Sequence, residues 1–293
     1  MTIISDLDGT LLSPQGAVPN QLHNVISAID SFGSNLVVAT SRPFDDVYRI
    51  FGAYGLAFLA ILNDGSETIE IQPEGDFAVL DELVLDPDDI DVLLALAVEG
   101  NILPFTFLTH SAKLPGMVVC PPFLAEERHQ LNLLTPGRPY QVSDSVTAYI
   151  SVVMHSQAII RAIAYFVRDK HIQEIREHIS PALENTRSVK VLDYPDMRCK
   201  GYYWIEMVPS LIGKRGAIER LLDRNLIQRP LIGLGNGRND VDFLRACDYA
   251  LCPSDAESSV LEVVNEVAPV GGGAVFCDWI SSKLQEIYVK FQL

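Results

Sequence analysis

Three short, mostly apolar runs alternate with two amphipathic segments over residues 2–62, and each run stops at polar residues. Thr2–Ser5 ends at DLDGT, Asn35–Ala39 ends at TSRP, and residues 56–62 end at Asn63-Asp64-Gly65. The intervening stretches, 19–32 and 43–51, repeat their apolar residues at helical spacing: Leu22, Val25, Ile26, Ile29 and Phe32 in the first, with Gly33 where a C-terminal cap belongs. Strands that are apolar on both faces, joined by helices, form a parallel sheet covered on both sides. Few other architectures accept this pattern.

The alternation lapses after about residue 78. Asp86-Pro87 reads as a helix cap and first turn leading into residues 90–98. Strands are expected at 104–109, 117–119, 146–154, 188–192 and 202–208, with an amphipathic segment at 156–168 that places Ile159, Ile160, Ile163, Ala164 and Val167 on one side. From Lys214 the alternation resumes, with a helix at 217–222, a strand at 230–234, the loop GNGRND, a helix at Val241–Ala246 and a strand at Tyr249–Cys252. The expected fold class is therefore α/β: a doubly wound, mostly parallel core over 1–78 and 199–293, with an α+β module inserted at 79–198. At 293 residues, 48% of them hydrophobic, the chain can fill two cores.

Charge narrows the partners. Lys and Arg number 22 against 38 Asp and Glu, a net of −16. Such a surface repels phosphate backbones and anionic lipid, so neither nucleic acid nor membrane is an expected partner. Five cysteines without a C-x-x-C pair argue against a disulfide framework or a zinc ribbon. With no basic leader ahead of a long apolar run, a cytoplasmic location is expected. The acidic run Asp86, Asp88, Asp89 and Asp91 reads as charge complementing a helix N-terminus on a solvated face. Nothing here bears on oligomeric state.

Ligands of open parallel sheets bind beyond the carboxyl ends of the strands. The polar residues there are Asp6, Asp8 and Thr10 after the first strand, Thr40, Ser41 and Arg42 after the second, and Asn236, Asn239 and Asp240 after 230–234, with Lys214 at the helix leading back to the core. Each has an ordinary alternative: Asp-Gly is common turn chemistry, Thr40 and Ser41 could cap the helix near Pro43, and Lys200 competes with Lys214. Together they form an inventory for phosphoryl transfer. A carboxylate can attack phosphorus, a second can move protons, and hydroxyl, amide and ammonium groups can hold the phosphoryl oxygens.

The segment Asp6-Leu7-Asp8-Gly9-Thr10-Leu11-Leu12 resembles the first motif of the haloacid dehalogenase superfamily of phosphohydrolases. Thr40-Ser41-Arg42-Pro43 resembles the second motif, Lys214-Arg215-Gly216-Ala217 stands where the motif lysine is expected, and Gly235-Asn236-Gly237-Arg238-Asn239-Asp240 resembles the fourth. Order and spacing agree along nearly the whole chain, and the insert resembles the α/β cap of the type IIB branch. The resemblance implies a magnesium-dependent phosphatase acting on a small phosphorylated metabolite, a sugar phosphate foremost, with substrate choice residing in the insert. It implies Asp6 as nucleophile and Asp8 as general acid/base, with Thr40, Ser41, Lys214 and Asn239 around the phosphoryl group. Mg2+ would be held by Asp6, Asp8, Asn236 and Asp240. Two departures stand out: Asn236 replaces a metal-binding aspartate, and Ser41 replaces a glycine. An amide keeps a ligand oxygen but gives up a full charge, so weaker magnesium binding is expected. The alternatives are a phospho-ligand binder that has lost catalysis, and a phosphomutase or phosphotransferase of the same superfamily.

Overall fold

The computed structural model describes residues 1–55, 57–72, 76–100, 102–109, 117–122, 140–196 and 199–291. The chain divides into two units, Met1–Asp81 with Gly213–Leu293, and Glu82–Ile212.

The first unit opens with β1 (Thr2–Ser5), α1 (Leu22–Ser31), β2 (Asn35–Ala39), α2 (Phe44–Phe51), β3 (Phe58–Leu62), β4 (Glu67–Ile71) and β5 (Phe77–Glu82). Residue 56, where the third strand was expected to begin, lies outside the described residues. The second unit contributes α3 (Pro87–Glu99), β6 (Phe105–Leu108), β7 (Val118–Cys120), β8 (Tyr140–Val142), α4 (Val146–His155), β9 (Ile160–Arg168), α5 (Ile172–Asn185), β10 (Val189–Pro195) and β11 (Tyr202–Pro209). The first unit then resumes with α6 (Lys214–Asp223), β12 (Leu231–Leu234), α7 (Val241–Ala246), β13 (Tyr249–Cys252), α8 (Ser258–Leu261), β14 (Glu266–Val267) and α9 (Ala274–Phe291).

The core sheet runs β14-β13-β12-β1-β2-β3-β4-β5. Every pairing from β14 to β3 is parallel, and β4 folds back antiparallel on β3. Successive residues of these strands serve opposite faces. Ile3, Val38 and Leu234 pack with α1 and α9 residues such as Ile26, Ile29 and Ile280, while Ile4, Val37 and Leu231 pack with Ala217, Ile218 and Phe243 of α6 and α7. Two covered faces explain why the strands lack polar alternation. Because β12, β1 and β2 are parallel neighbours in near-level register, their carboxyl ends open on one edge.

The second sheet, β10-β11-β9-β6-β7-β8, is antiparallel except where β7 meets β8. Here two expectations fail. Residues 146–154, expected as a strand, form α4: Ser145 caps it by accepting from the Ala148 N–H at 3.1 Å, and Tyr149 and Val153, four apart, are fully buried. Residues 160–168, whose apolar spacing mimicked a helix, form β9. Ile160, Ile163 and Tyr165 pack on one side with α3 and α5 while Ala162 and Ala164 pack on the other, so burial on both faces erases the alternation that marks a strand. The acidic run is also only partly solvated. Asp86 caps α3, but Asp89 is buried and accepts from the Arg187 and Ser188 N–H groups (2.9 and 3.1 Å) and the Ser188 hydroxyl (2.7 Å).

The unit boundaries differ from the sequence reading at one end. The insert begins at Glu82, near the expected 79, but returns at Gly213 rather than 199, because β11 pairs with β9 and β10 in the second sheet. Residue 198, the expected last residue of the insert, lies outside the described residues. No helix among the described residues is long and apolar enough to cross a membrane.

Candidate active site

The loop after β1 is tightly wound. The Leu12 and Thr10 N–H groups both return to the Leu7 carbonyl (2.8 and 3.1 Å), the Gly9 N–H reaches the Leu12 carbonyl (3.0 Å), and Gly9 takes φ +79°. The Asp6 N–H donates to the Leu234 carbonyl at 2.9 Å, which fixes this loop against the one after β12.

Lys214, first residue of α6, lies at the centre of the cluster. Its Nζ donates to Asp6 Oδ1 and to Asp240 Oδ1, each at 2.6 Å, and the side chains of Lys214 and Asp240 are completely buried. One ammonium thus serves two carboxylates, and the ionised trio carries one uncompensated negative charge. Burial disfavours the Lys214 charge, but Asp6 and Asp240 hold the ammonium far above its ordinary range. Burial pushes the Asp6 carboxyl up, Lys214 draws it down and Asp240 raises it again, leaving it at about 7. Lys200, the rival lysine, is exposed in the second unit.

Asp240 has little left to offer a metal. Its Oδ1 takes Lys214, and its Oδ2 accepts the backbone N–H groups of Asn236 (3.0 Å) and Gly237 (2.9 Å). The expected metal ligand instead fastens the loop after β12 to Lys214.

Asp8 is held by Arg42 in a two-pronged ion pair: Nε to Oδ2 and Nη2 to Oδ1, both 2.7 Å. Gly16, at φ +77°, covers this pair; a Cβ there would run into the guanidinium and sit 3.0 Å from Asp8 Oδ1. Thr40 is buried, and its hydroxyl oxygen accepts the Arg42 N–H at 3.2 Å. The turn after β3 is tied to the same loop, with the Asn63 N–H on the Arg42 carbonyl and the Asp64 N–H on the Thr40 carbonyl, both at 3.1 Å.

Ser41 and Asn239 are not drawn in. Ser41 is exposed, and the exposed Asn239 donates its side-chain amide to Asp64 Oδ1 at 3.0 Å. Among the described residues, neither hydrogen-bonds to Asp6, Asp8 or Lys214. Two neighbours were absent from the expected site residues. Arg42 lies within the second motif, and Asp64 follows the third strand, so the rule that selected the other strand-end residues applies to it equally.

Asn236 faces inward. The inner atom of its carboxamide lies 2.9 Å from the Asp8 carbonyl oxygen, 2.9 Å from Thr10 Oγ1 and 3.2 Å from Asp6 Oδ2. As placed, that atom is Oδ1, accepting from the Thr10 hydroxyl at 2.9 Å; the amide turned by half a rotation would put Nδ2 there instead, a donor meeting the carbonyl and carboxylate oxygens. Magnesium would call on these same groups: with Oδ1 inward the Asp6 carboxylate, the Asp8 carbonyl and the Asn236 amide supply oxygen ligands that fit it, whereas with Nδ2 inward an N–H2 occupies the point where those oxygens converge. Among the described residues, no group of three or more His, Cys, Asp or Glu side chains is placed to hold a metal ion.

A parallel α/β core that gathers Asp6, Asp8, Thr40 and Lys214 at the carboxyl ends of its strands, interrupted by an α+β insert, defines a class. The haloacid dehalogenase-like hydrolase family matches residues 3–270, and the chain belongs to that family. YxeH of Bacillus subtilis (strain 168), named as a candidate phosphatase, is 24% identical over 277 residues, 90% of each chain. Among solved structures, TM0651 from Thermotoga maritima superposes with a TM-score of 0.74 at 15% identity, covering 96% of both chains. The subclass IIB sugar phosphatase BT4131 superposes at 0.62 and 15% identity over 98% of both chains. Both have the same fold as this chain, core and insert included.

Proposed function

We propose that this protein is a phosphoric monoester hydrolase that works through an aspartyl-phosphate on Asp6. The observation that carries the reading is the fully buried Lys214 ammonium, 2.6 Å from a carboxylate that lies two residues from a second acid. Asp6 Oδ2, the oxygen Lys214 leaves open, attacks phosphorus as the ester P–O bond breaks. Lys214 and the Thr40 hydroxyl hold the negative charge of the transferring group. Asp8, released from Arg42 and carrying a proton taken from solvent, gives that proton to the leaving oxygen, and as carboxylate it then takes a proton from water. That water attacks the aspartyl-phosphate, its P–O bond to Asp6 breaks, and inorganic phosphate leaves with Asp6 restored.

A small phosphorylated metabolite, in particular a sugar phosphate, is the substrate class this reading favours, supported by the phosphatase names of YxeH and BT4131. Magnesium is the cofactor the family suggests, but no step above passes through it, because the Asn236 amide stands among its would-be ligands.

The test is phosphate release from a panel of sugar phosphates, with wild type and Asp6→Asn compared at equal concentration. Turnover by wild type that Asp6→Asn abolishes is the expected outcome. Full turnover by the variant, or none by wild type across the panel with and without Mg2+, rejects the reading.

A further inference from the structure

We infer that the Asn236 carboxamide is a built-in substitute for a divalent cation: its Nδ2 ties Asp6 to the Asp8 carbonyl, so the catalytic loops are assembled without metal and a cation binds only by turning the amide aside. Three observations converge on this. With the carboxamide turned so that Nδ2 faces inward, it lies within hydrogen-bond distance of the Asp8 carbonyl oxygen and Asp6 Oδ2, whereas Oδ1 at that point meets those two oxygens with no donor or cation between them. The Thr10 hydroxyl completes the set, 2.9 Å from Nδ2 and 3.4 Å from Asp6 Oδ2, so it can accept from the amide while donating to the carboxylate. Gly9 makes the placement possible, since a Cβ at that residue would run into the amide.

Charge supports the same assignment. Lys214 is shared between Asp6 and Asp240, so Asp6 Oδ2 lacks a full cationic partner, and an amide donor supplies part of one at no cost in net charge. A carboxylate at this position would add a further negative charge beside Asp6 and replace the donor by an acceptor. That arrangement is stable only with a cation between the oxygens. Rotating the existing amide by half a turn would offer Oδ1 to a cation but would break its bonds to Asp6 and Asp8 first. This chain therefore trades cation affinity for a site that stands without one. The inference concerns binding and stability and does not depend on the substrate.

Wild type and Asn236→Asp are compared by isothermal titration with MgCl2 and by thermal unfolding in EDTA and in MgCl2. The variant should unfold several degrees below wild type in EDTA, gain more from MgCl2 than wild type does, and bind Mg2+ at least tenfold more tightly. A variant that folds only with MgCl2 present gives the same answer. Equal stability in EDTA together with equal Mg2+ affinity overturns the inference. Should the variant fold under neither condition, wild type alone decides. Its Asn236 side-chain N–H2, identified by NMR through contacts with Thr10, should resist solvent exchange in EDTA and lose that protection at saturating MgCl2. A freely exchanging amide in EDTA overturns the inference as well. Phosphate release is not a readout here, so this test can fail while the hydrolase assignment survives, and the reverse.

Discussion

Replacing Asp6, the proposed nucleophile, should make the protein more stable, and by an amount that depends on pH. Asp6 has a carboxyl raised from 3.8 to about 7, chiefly by burial, with Asp240 adding to it and Lys214 opposing. The folded state therefore holds this proton more tightly than the unfolded chain does. Wild-type stability should fall by roughly 1.4 kcal/mol per pH unit between about 4 and 7, then level off. Over the full interval the burden approaches about 4 kcal/mol, an upper figure for a carboxylate that shares its lysine. Asp6→Asn removes the titration. It also deprives Lys214 of one of two partners, but Asp240 remains 2.6 Å away to hold the ammonium. The quantity to measure is thus the change in the stability difference, variant minus wild type, between pH 5 and pH 8, expected at about 2–3 kcal/mol in favour of the variant at the higher pH. Urea unfolding in EDTA serves as the assay. The chain has two tryptophans, and in a Trp204→Phe background Trp279 of α9 reports on this unit alone. A difference that moves by less than about 1 kcal/mol across that range would refute the description of Asp6 as a buried acid short of positive charge.

Removing the ammonium instead, by Lys214→Met, leaves two carboxylates buried together; a loss of about 3–5 kcal/mol is expected at pH 8, shrinking toward pH 5 as Asp6 takes up its proton, and the same urea titrations measure it. Arg42→Lys keeps the charge but cannot make both 2.7 Å bonds to Asp8, so phosphate release should slow about tenfold with KM little changed if Arg42 orients the acid. Asp89→Ala should cost the second unit about 3 kcal/mol, read by Trp204 fluorescence, because it orphans the Arg187 and Ser188 N–H groups. Against the push of burial, those bonds hold the Asp89 carboxyl below its ordinary range. Its contribution should therefore be complete above the ordinary carboxylate range and fade as the pH falls below it.

The parallel centre of the core was legible because β1, β2, β3, β12 and β13 are largely apolar and end at polar residues, whereas β4, β5 and β14, with their glutamates and aspartate, were not expected. Asn35–Ala39, Val241–Ala246 and Tyr249–Cys252 match the structure residue for residue. The insert was harder to read. Residues 146–154 were expected as a strand, but a Ser145 cap and the burial of Tyr149 and Val153 on one face settled a helix. Local preference is worth tenths of a kcal/mol per residue, and packing overrides it.

The site divides the same way. Asp6, Asp8 and Thr40 could be singled out from the sequence because they follow apolar strands, and Lys214 because it opens the helix leading back to the core. What each does with its remaining atoms is a matter of three-dimensional neighbours. Asp240 gives both oxygens to Lys214 and the loop, Arg42 grips Asp8, Asn239 turns away to Asp64, and Asn236 aims one atom of its carboxamide at Asp6, Asp8 and Thr10. An amide reads the same in a sequence whichever end points inward. Its orientation follows from the acceptors around it, and those come from residues 6, 8 and 10, more than two hundred positions away along the chain.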